Sequence, residues 1–336
     1  FTHDKKFKKI VSVTLASAML LCTNAFAAYT DVPEDSDVYS AVETLSTLGI
    51  LNGYKDNTFK PDGNITRAEM CAVLCRALGL EAPETFYYDY SFTDVPRDHW
   101  AYWYVGLCKG HDIVDGMGND IFAPDSSVTL SQAVKMILSA MGYGILAESN
   151  GGWPAGYVST AAKYGILDGI TEKTDSPATR ATIAKLLDNA LPAPLLLTSV
   201  NPTTGFTAEV ADGTGTFPYR SLLSDLGIVK ISGSIVGTSE KEYNGSKCDD
   251  GEVIYRFNNA KGNEFLENYL SEKADKDKYA TFTFKYESGV PVSKYLDTPS
   301  EIFVKKLAND NPFNIFVNKR ADDTYMIIDI RPAKEK

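Results

Sequence analysis

The stretch NITRAEMCAVLCRALGL at 64–80 sets an arginine where a helix least favours one. Met70, Val73, Leu74, Ala77 and Leu78 recur at helical spacing after Thr66, so a helix starts there. Thr66 and Glu69 form a T-x-x-E capping box, each side chain satisfying an orphan amide of the first turn. Arg67 then sits at the positive end of the helix dipole, where a cation costs up to about 1 kcal/mol. An anion offsets that cost, because a helix opening offers amides and a planar guanidinium offers bidentate donors for a carboxylate. The competing reading is an arginine that snorkels outward from the surface. Arg180 stands in the same place in a later element, ATRAT. Trp100 and Trp153 each open another helix, where an aromatic ring either lies against a sugar or anchors a core. Gly53, Gly116 and Gly169 sit in turns, either letting backbone approach a ligand or ending a helix. Cys71 and Cys75 lie one helical turn apart with no further ligand nearby in sequence. They read as small buried hydrophobes rather than a metal pair or disulfide, and no metal or cofactor is expected.

The elements that must position these residues are repeated. YTDVP at 29 returns as FTDVP at 92, GILNGYKDNTFKPD at 49 as DIVDGMGNDIFAPD at 112, and ITRAE at 65 as VTLSQ at 128, all with an offset of 63. A third, shortened copy aligns GGWPAGYVSTAAKYGILDG at 151 with DHWAYWYVGLCKGHDIVDG at 98, but lacks the F-x-P-D loop. Each copy reads as helix, loop, helix. Val38, Val42, Leu45 and Leu48 form the first apolar stripe, and Gly49 and Gly53 are expected to end that helix. One such hairpin buries too little apolar surface to stand alone, so the three are expected to share a core.

The D-V-P opening, the G-I-L-x-G-Y turn, the F-x-P-D loop and the T-R-A-E helix start, in order and repeated, resemble the S-layer homology family. The resemblance covers about 29–191. It implies an all-α, pseudo-threefold, three-pronged bundle whose grooves bind secondary cell-wall polysaccharide, often carrying pyruvylated N-acetylmannosamine. It also implies noncovalent anchoring of an exported protein to the bacterial surface, as an S-layer or envelope component among other such proteins. By the same resemblance Arg67 and Arg180 meet the acidic sugar, with Glu69, Trp100, Trp153, Gly53, Gly116 and Gly169 completing the site. Copy two departs from the pattern: Leu130 replaces the arginine while Thr129 and Gln132 keep a capping box. That position is expected to keep its fold role and lose the anion contact.

The expected organisation is a signal peptide at 1–27, repeats at 28–91, 92–150 and 151–191, a linker at 192–205 and a β-rich domain at 206–336. KKFKK, the apolar run IVSVTLASAMLL and the small-residue pattern AFAA make the leader, with cleavage expected after Ala27 and no membrane insertion afterwards. Leu21 before Cys22 argues against lipid attachment. The 336-residue chain has a net charge of -11, and residues 28–191 carry 11 cations against 22 anions. That balance disfavours nucleic acid and anionic membranes as partners. Beyond three prolines at 192–202, GFTAEV, GIVKISGSIVG, EVIYRF, YATFTFKY, EIFVKKL, FNIFV and TYMIIDI read as strands of a small sheet, sandwich or barrel. NEFLENYLSEKADKD reads as a helix. This half has no histidine, which removes a Ser-His-Asp or Cys-His centre. Carboxylates at Asp249, Asp250, Glu252, Asp275 and Asp277 lie in polar, loop-like stretches. A binding protein is therefore expected rather than an enzyme; the alternative is a wall-anchored hydrolase acting on polysaccharide or peptidoglycan through this C-terminal region, with these carboxylates as its candidates.

Overall fold

The computed structural model describes residues 29–80, 92–201, 205–239, 242–259, 280–286, 313–319 and 325–332. The leader, the helix expected at 263–277, the strand at 301–307, Asp275 and Asp277 lie outside the described residues. The chain forms two compact units, which part between Asp225 and Leu226.

The first unit is helical. Its elements are α1 (Tyr39–Thr47), α2 (Arg67–Ala77), α3 (Tyr102–Gly110), α4 (Leu130–Ala140), α5 (Gly144–Ser149), α6 (Ala155–Lys163) and α7 (Arg180–Ala190). The second helix of each copy starts at a threonine in extended conformation, Thr66, Thr129 or Thr179, whose hydroxyl accepts from the amide three residues on. Full capping boxes form at Thr66–Glu69 and Thr129–Gln132. Gly49, at φ +67°, turns the chain out of α1 in the left-handed conformation that a β-carbon disfavours.

The copies interlock in a closed order. Val128 N donates to Ile65 O (3.1 Å), Ala178 N to Val128 O (2.8 Å) and Ile65 N to Ala178 O (3.2 Å). These three equivalent residues, all buried, tie each copy to both others. The helices follow the same cycle: α2 packs on α3, α4 on α6, and α7 on α1, so each copy's second helix rests against the first helix of the next. Ile50, Phe59, Met70, Leu74, Phe122, Ile137, Leu138, Ile183 and Leu187 fill the shared interior. None of the described helices is long and apolar enough to cross a membrane.

The helical unit continues past the third copy. Where a linker is expected at 192–205, β1 (Leu196–Asn201) pairs antiparallel with β2 (Gly205–Val210). Leu196 N donates to Met141 O (3.0 Å), and Tyr143 Oη to Pro194 O (2.9 Å). The prolines stop the helix, but the apolar LLLTSV that follows is a strand with a helix surface to dock on. The short α8 (Leu222–Asp225) closes the unit.

The second unit is a closed barrel of β3 (Ile228–Thr238), β4 (Glu252–Asn259), β5 (Ala280–Tyr286), β6 (Phe313–Lys319) and β7 (Tyr325–Pro332), in the order β3-β4-β5-β7-β6. Neighbours are antiparallel except β5 and β7, which run parallel. This is the connectivity of an OB-type Greek-key barrel. Val229, Ile231, Ile235, Val253, Tyr255, Phe284, Ile315, Val317, Tyr325 and Ile327 fill it. Register shifts in β3 at Ser232/Gly233 and Ile235/Gly237 bend that strand so that it pairs with both β4 and β6. Closure leaves no free sheet edge between these strands.

Candidate functional site

The residues singled out by their chemistry gather where one copy meets the next. At the junction of copies one and two, Arg67 Nε donates to Phe122 O (2.8 Å) and Nη2 to Asp115 O (2.9 Å), with Cζ 4.5 Å from the centre of the Phe122 ring. At the junction of copies three and one, Arg180 Nε donates to Phe59 O (2.7 Å) and Nη2 to Asn52 O (2.7 Å). Its Cζ lies 4.6 Å from the Phe59 ring and 4.9 Å from that of Tyr54. The two sites match in both hydrogen bonds and in the phenylalanine contact; Tyr54 is replaced by Met117 in copy two. Both arginines are buried, 6% and 5% exposed, so neither snorkels. Burial pushes the Arg67 pKa down from its ordinary value, against the pull of Cys71, Asp94 and Asp115.

The helix openings are also occupied, which corrects the expectation of free amides. Arg67 N donates to Ser126 O (2.9 Å) and Ala68 N to Pro124 O (3.0 Å); Arg180 N donates to Gly63 O (2.8 Å) and Ala181 N to Pro61 O (2.9 Å). Glu69 Oε2 accepts from Thr66 N (2.9 Å), so its carboxylate serves the cap. Each opening therefore grips the F-x-P-D loop of the next copy, 59–62 or 122–125. The D-V-P aspartates hold the same loops from within each copy. Asp31 accepts from Phe59 N (2.7 Å) and Lys60 N (2.8 Å), and Asp94 from Phe122 N (2.9 Å) and Ala123 N (2.7 Å). These bonds hold Lys60 and Ala123 at φ +57° and +60°.

Copy two carries Leu130, 2% exposed, at the arginine position, and copy three is the one without an F-x-P-D loop. Asp168 O, equivalent to the carbonyls of Asn52 and Asp115, accepts instead from Asn189 Nδ2 (2.8 Å). At this opening Leu130 N and Ser131 N still donate to Ser176 O and Thr174 O (2.9 Å each), so the shortened loop is gripped by the same two amides, and arginine appears only where that loop also brings a phenylalanine ring and carbonyl. The signal was present in the sequence, but only for a reader who takes copy one as the successor of copy three.

Gly53 and Gly116 face the aromatic residue that begins their copy. A β-carbon at Gly53 would lie 2.2 Å from the Tyr29 ring, and one at Gly116 2.6 Å from that of Phe92. Gly53 N also donates to Tyr29 Oη (2.8 Å), a bond that Phe92 cannot accept. Gly53 therefore does not end α1. Gly169 differs again, at φ +73° with open space around it.

The tryptophans lie outside the core. Trp100 is 55% and Trp153 48% exposed, at equivalent positions beside the α2/α3 and α4/α6 junctions. Trp100 stacks on His99 and packs beside Tyr104. Trp153 meets Tyr157 edge-on, with Lys135 Nζ 5.7 and 5.6 Å from the two ring centres. Burial, then a hydrogen bond to Glu148, pushes the Tyr157 phenol up to about 12. Asp37 takes the tryptophan's place in copy one and pairs with Lys185 of α7.

Folding brings a third thiol to the cysteine pair: Cys108 Sγ lies 3.7 Å from Cys75 Sγ and 3.6 Å from Cys71 O, all three buried. Contact with Cys71 and Cys75, together with burial, raises the Cys108 pKa well above its ordinary value, which keeps the thiol protonated. In the barrel unit Asp249 and Asp250 are exposed on the β3–β4 turn beside Glu252.

The family model for the S-layer homology domain matches residues 28–71 and 91–134. The chain is 36% identical over 197 residues to the middle cell wall protein of Brevibacillus brevis (strain 47 / JCM 6285 / NBRC 100599), covering 56% of this chain and 18% of that protein. It is 34% identical over 199 residues to a cell surface protein of Thermoanaerobacter kivui, covering 57% and 26%. It is 35% identical over 200 residues to a surface layer protein of Brevibacillus choshinensis, covering 58% and 18%. The chain thus spans about a quarter or less of the length of these relatives.

Proposed function

We propose that this chain, which carries S-layer homology domains at 28–71 and 91–134, is an exported surface protein held noncovalently on the bacterial cell wall. Its ligand is an anionic secondary wall polysaccharide with pyruvylated sugars, bound in the grooves between copies. The third copy, 151–191, completes a pseudo-threefold, three-pronged bundle, and the barrel is the part displayed. The observation that carries this reading is the pair of half-exposed tryptophans, Trp100 and Trp153, at equivalent junctions between copies. Large aromatic faces left in water, that of Trp153 beside the Lys135 ammonium, suit sugar rings that carry carboxylates.

Arg67 and Arg180 enter this reading chiefly as positioning residues. Each spends Nε and Nη2 on a neighbouring loop, and Nη1 makes no hydrogen bond to any described residue. That nitrogen is what each arginine retains for an acidic sugar. Glu69, Gly53, Gly116 and Gly169 shape the same walls. The chain acts as a binding module, and the exposed carboxylates of the β3–β4 turn are solvated charge.

The test is co-sedimentation of the full chain with purified walls, with and without mild acid treatment that removes pyruvyl groups. Binding to untreated walls, reduced at least tenfold by the treatment, is expected. Equal binding to both preparations would sink the acidic-sugar reading. Release of soluble sugars from the walls would replace the binding module with a hydrolase.

A further inference from the structure

The three junctions do not offer the same surface, and the difference follows from three aligned positions. Trp100 and Trp153 align with Asp37, and Lys135 and Lys185 align with Ala72. The α2/α3 junction has the tryptophan but an alanine, Ala72, at the lysine position. The nearest α2 cation there, Arg76, lies 5.8 Å from the centre of Tyr104 and donates to Ile50 O (3.4 Å). The α7/α1 junction has the lysine but no tryptophan, and Asp37 already holds Lys185 in an ion pair. Only the α4/α6 junction combines the two: Trp153, 48% exposed, and Lys135, within reach of the Trp153 and Tyr157 rings; Lys135 also pairs with Asp115, but at 3.9 Å, the limit of an ion pair, because Lys109 holds that carboxylate more closely at 2.9 Å.

Resting on the function proposed above, we infer that the α4/α6 junction is the principal seat of the acidic sugar, and that Asp37 closes the α7/α1 junction. The Trp153 face takes the apolar side of a sugar ring, and the Lys135 ammonium meets its carboxylate. At α7/α1 an incoming carboxylate must displace one that is tethered to the same fold and present at high effective concentration. Asp37 also repels an anion and presents no ring face. The seat therefore lies at the junction that has no arginine. This reverses the expectation drawn from Leu130 and agrees with an arginine whose hydrogen bonds go mainly to loops.

The test titrates the full chain and its variants against purified wall fragments, following sedimentation and tryptophan fluorescence. Lys135→Met and Trp153→Ala are each expected to weaken apparent affinity about tenfold or more, and Lys135→Arg to restore most of it. Asp37→Asn is expected to lose nothing, and Asp37→Trp to raise the amount bound at saturation. Thermal melts identify any variant that fails to fold; for such a variant Trp153→Phe is read instead, and it is expected to abolish the fluorescence change. Parent-like binding by folded Lys135→Met and Trp153→Ala overturns the assignment while leaving wall anchoring intact, as does loss of binding in Trp100→Ala alone. If the parent itself does not sediment with walls, the anchoring reading and this inference fall together.

Discussion

Two junctions of the helical unit close on an arginine and the third on a leucine. Arg67 and Arg180 make the same pair of carbonyl hydrogen bonds and the same contact with a phenylalanine ring, in copies 113 residues apart in sequence. Leu130 sits equally buried, facing a copy whose shortened loop lacks the phenylalanine and whose turn carbonyl is served by Asn189. Side chain and neighbouring loop therefore vary together. A cation at a helix start is offset here by carbonyl oxygens and an aromatic face, which supply partial negative charge from within the protein.

The comparison breaks most severely if an arginine is forced into the third junction. Leu130→Arg buries a guanidinium where the facing loop has no phenylalanine and the turn carbonyl of Asp168 is already served by Asn189, and is expected to cost about 3–5 kcal/mol, read as a fall in the urea midpoint of the helical transition. A small effect would mean that the site has unused acceptors. Next in size, Arg67→Ala and Arg180→Ala each leave two carbonyls without a donor, for an expected loss of about 2–4 kcal/mol apiece. Both are expected to lower the melting temperature before any effect on wall binding is considered. Wall binding abolished at unchanged stability would instead return these arginines to direct contact with the ligand. The finest distinction lies between the two loop-bearing copies. Tyr29→Phe makes copy one resemble copy two and removes the acceptor for Gly53 N, an expected loss of about 0.5–1.5 kcal/mol. The same hydroxyl also bonds Ser46 Oγ (3.1 Å), so a cost above about 3 kcal/mol would show that it does more than serve these two groups.

What could be read from the sequence was what local chemistry decides. Thr66–Glu69 and Thr129–Gln132 announce helix starts because a cap is satisfied within four residues. GIVKISGSIVG, EVIYRF and TYMIIDI mark strands by β-branched and aromatic content, and all three belong to the barrel. Three things were hidden because they depend on which copy follows which in space. The arginines appeared free since their acceptors lie 48 to 128 residues away. Cys108 appeared unrelated to Cys75 until α3 packed on α2. Residues 192–205 look like a linker in sequence because prolines stop a helix, while the surface on which β1 docks belongs to α4 and the turn after it. Closure of the barrel, with β5 parallel to β7, is likewise long-range.

The ring of backbone bonds through Ile65, Val128 and Ala178 also limits how such a chain changes length over evolutionary time. An open stack of repeats lengthens by duplicating any one unit, because the newcomer needs only a neighbour on each side. A circle has no vacancy for a fourth member: inserting one would break the contact between last and first and force every angle to readjust. Loss of a single copy would strip partners from both that remain.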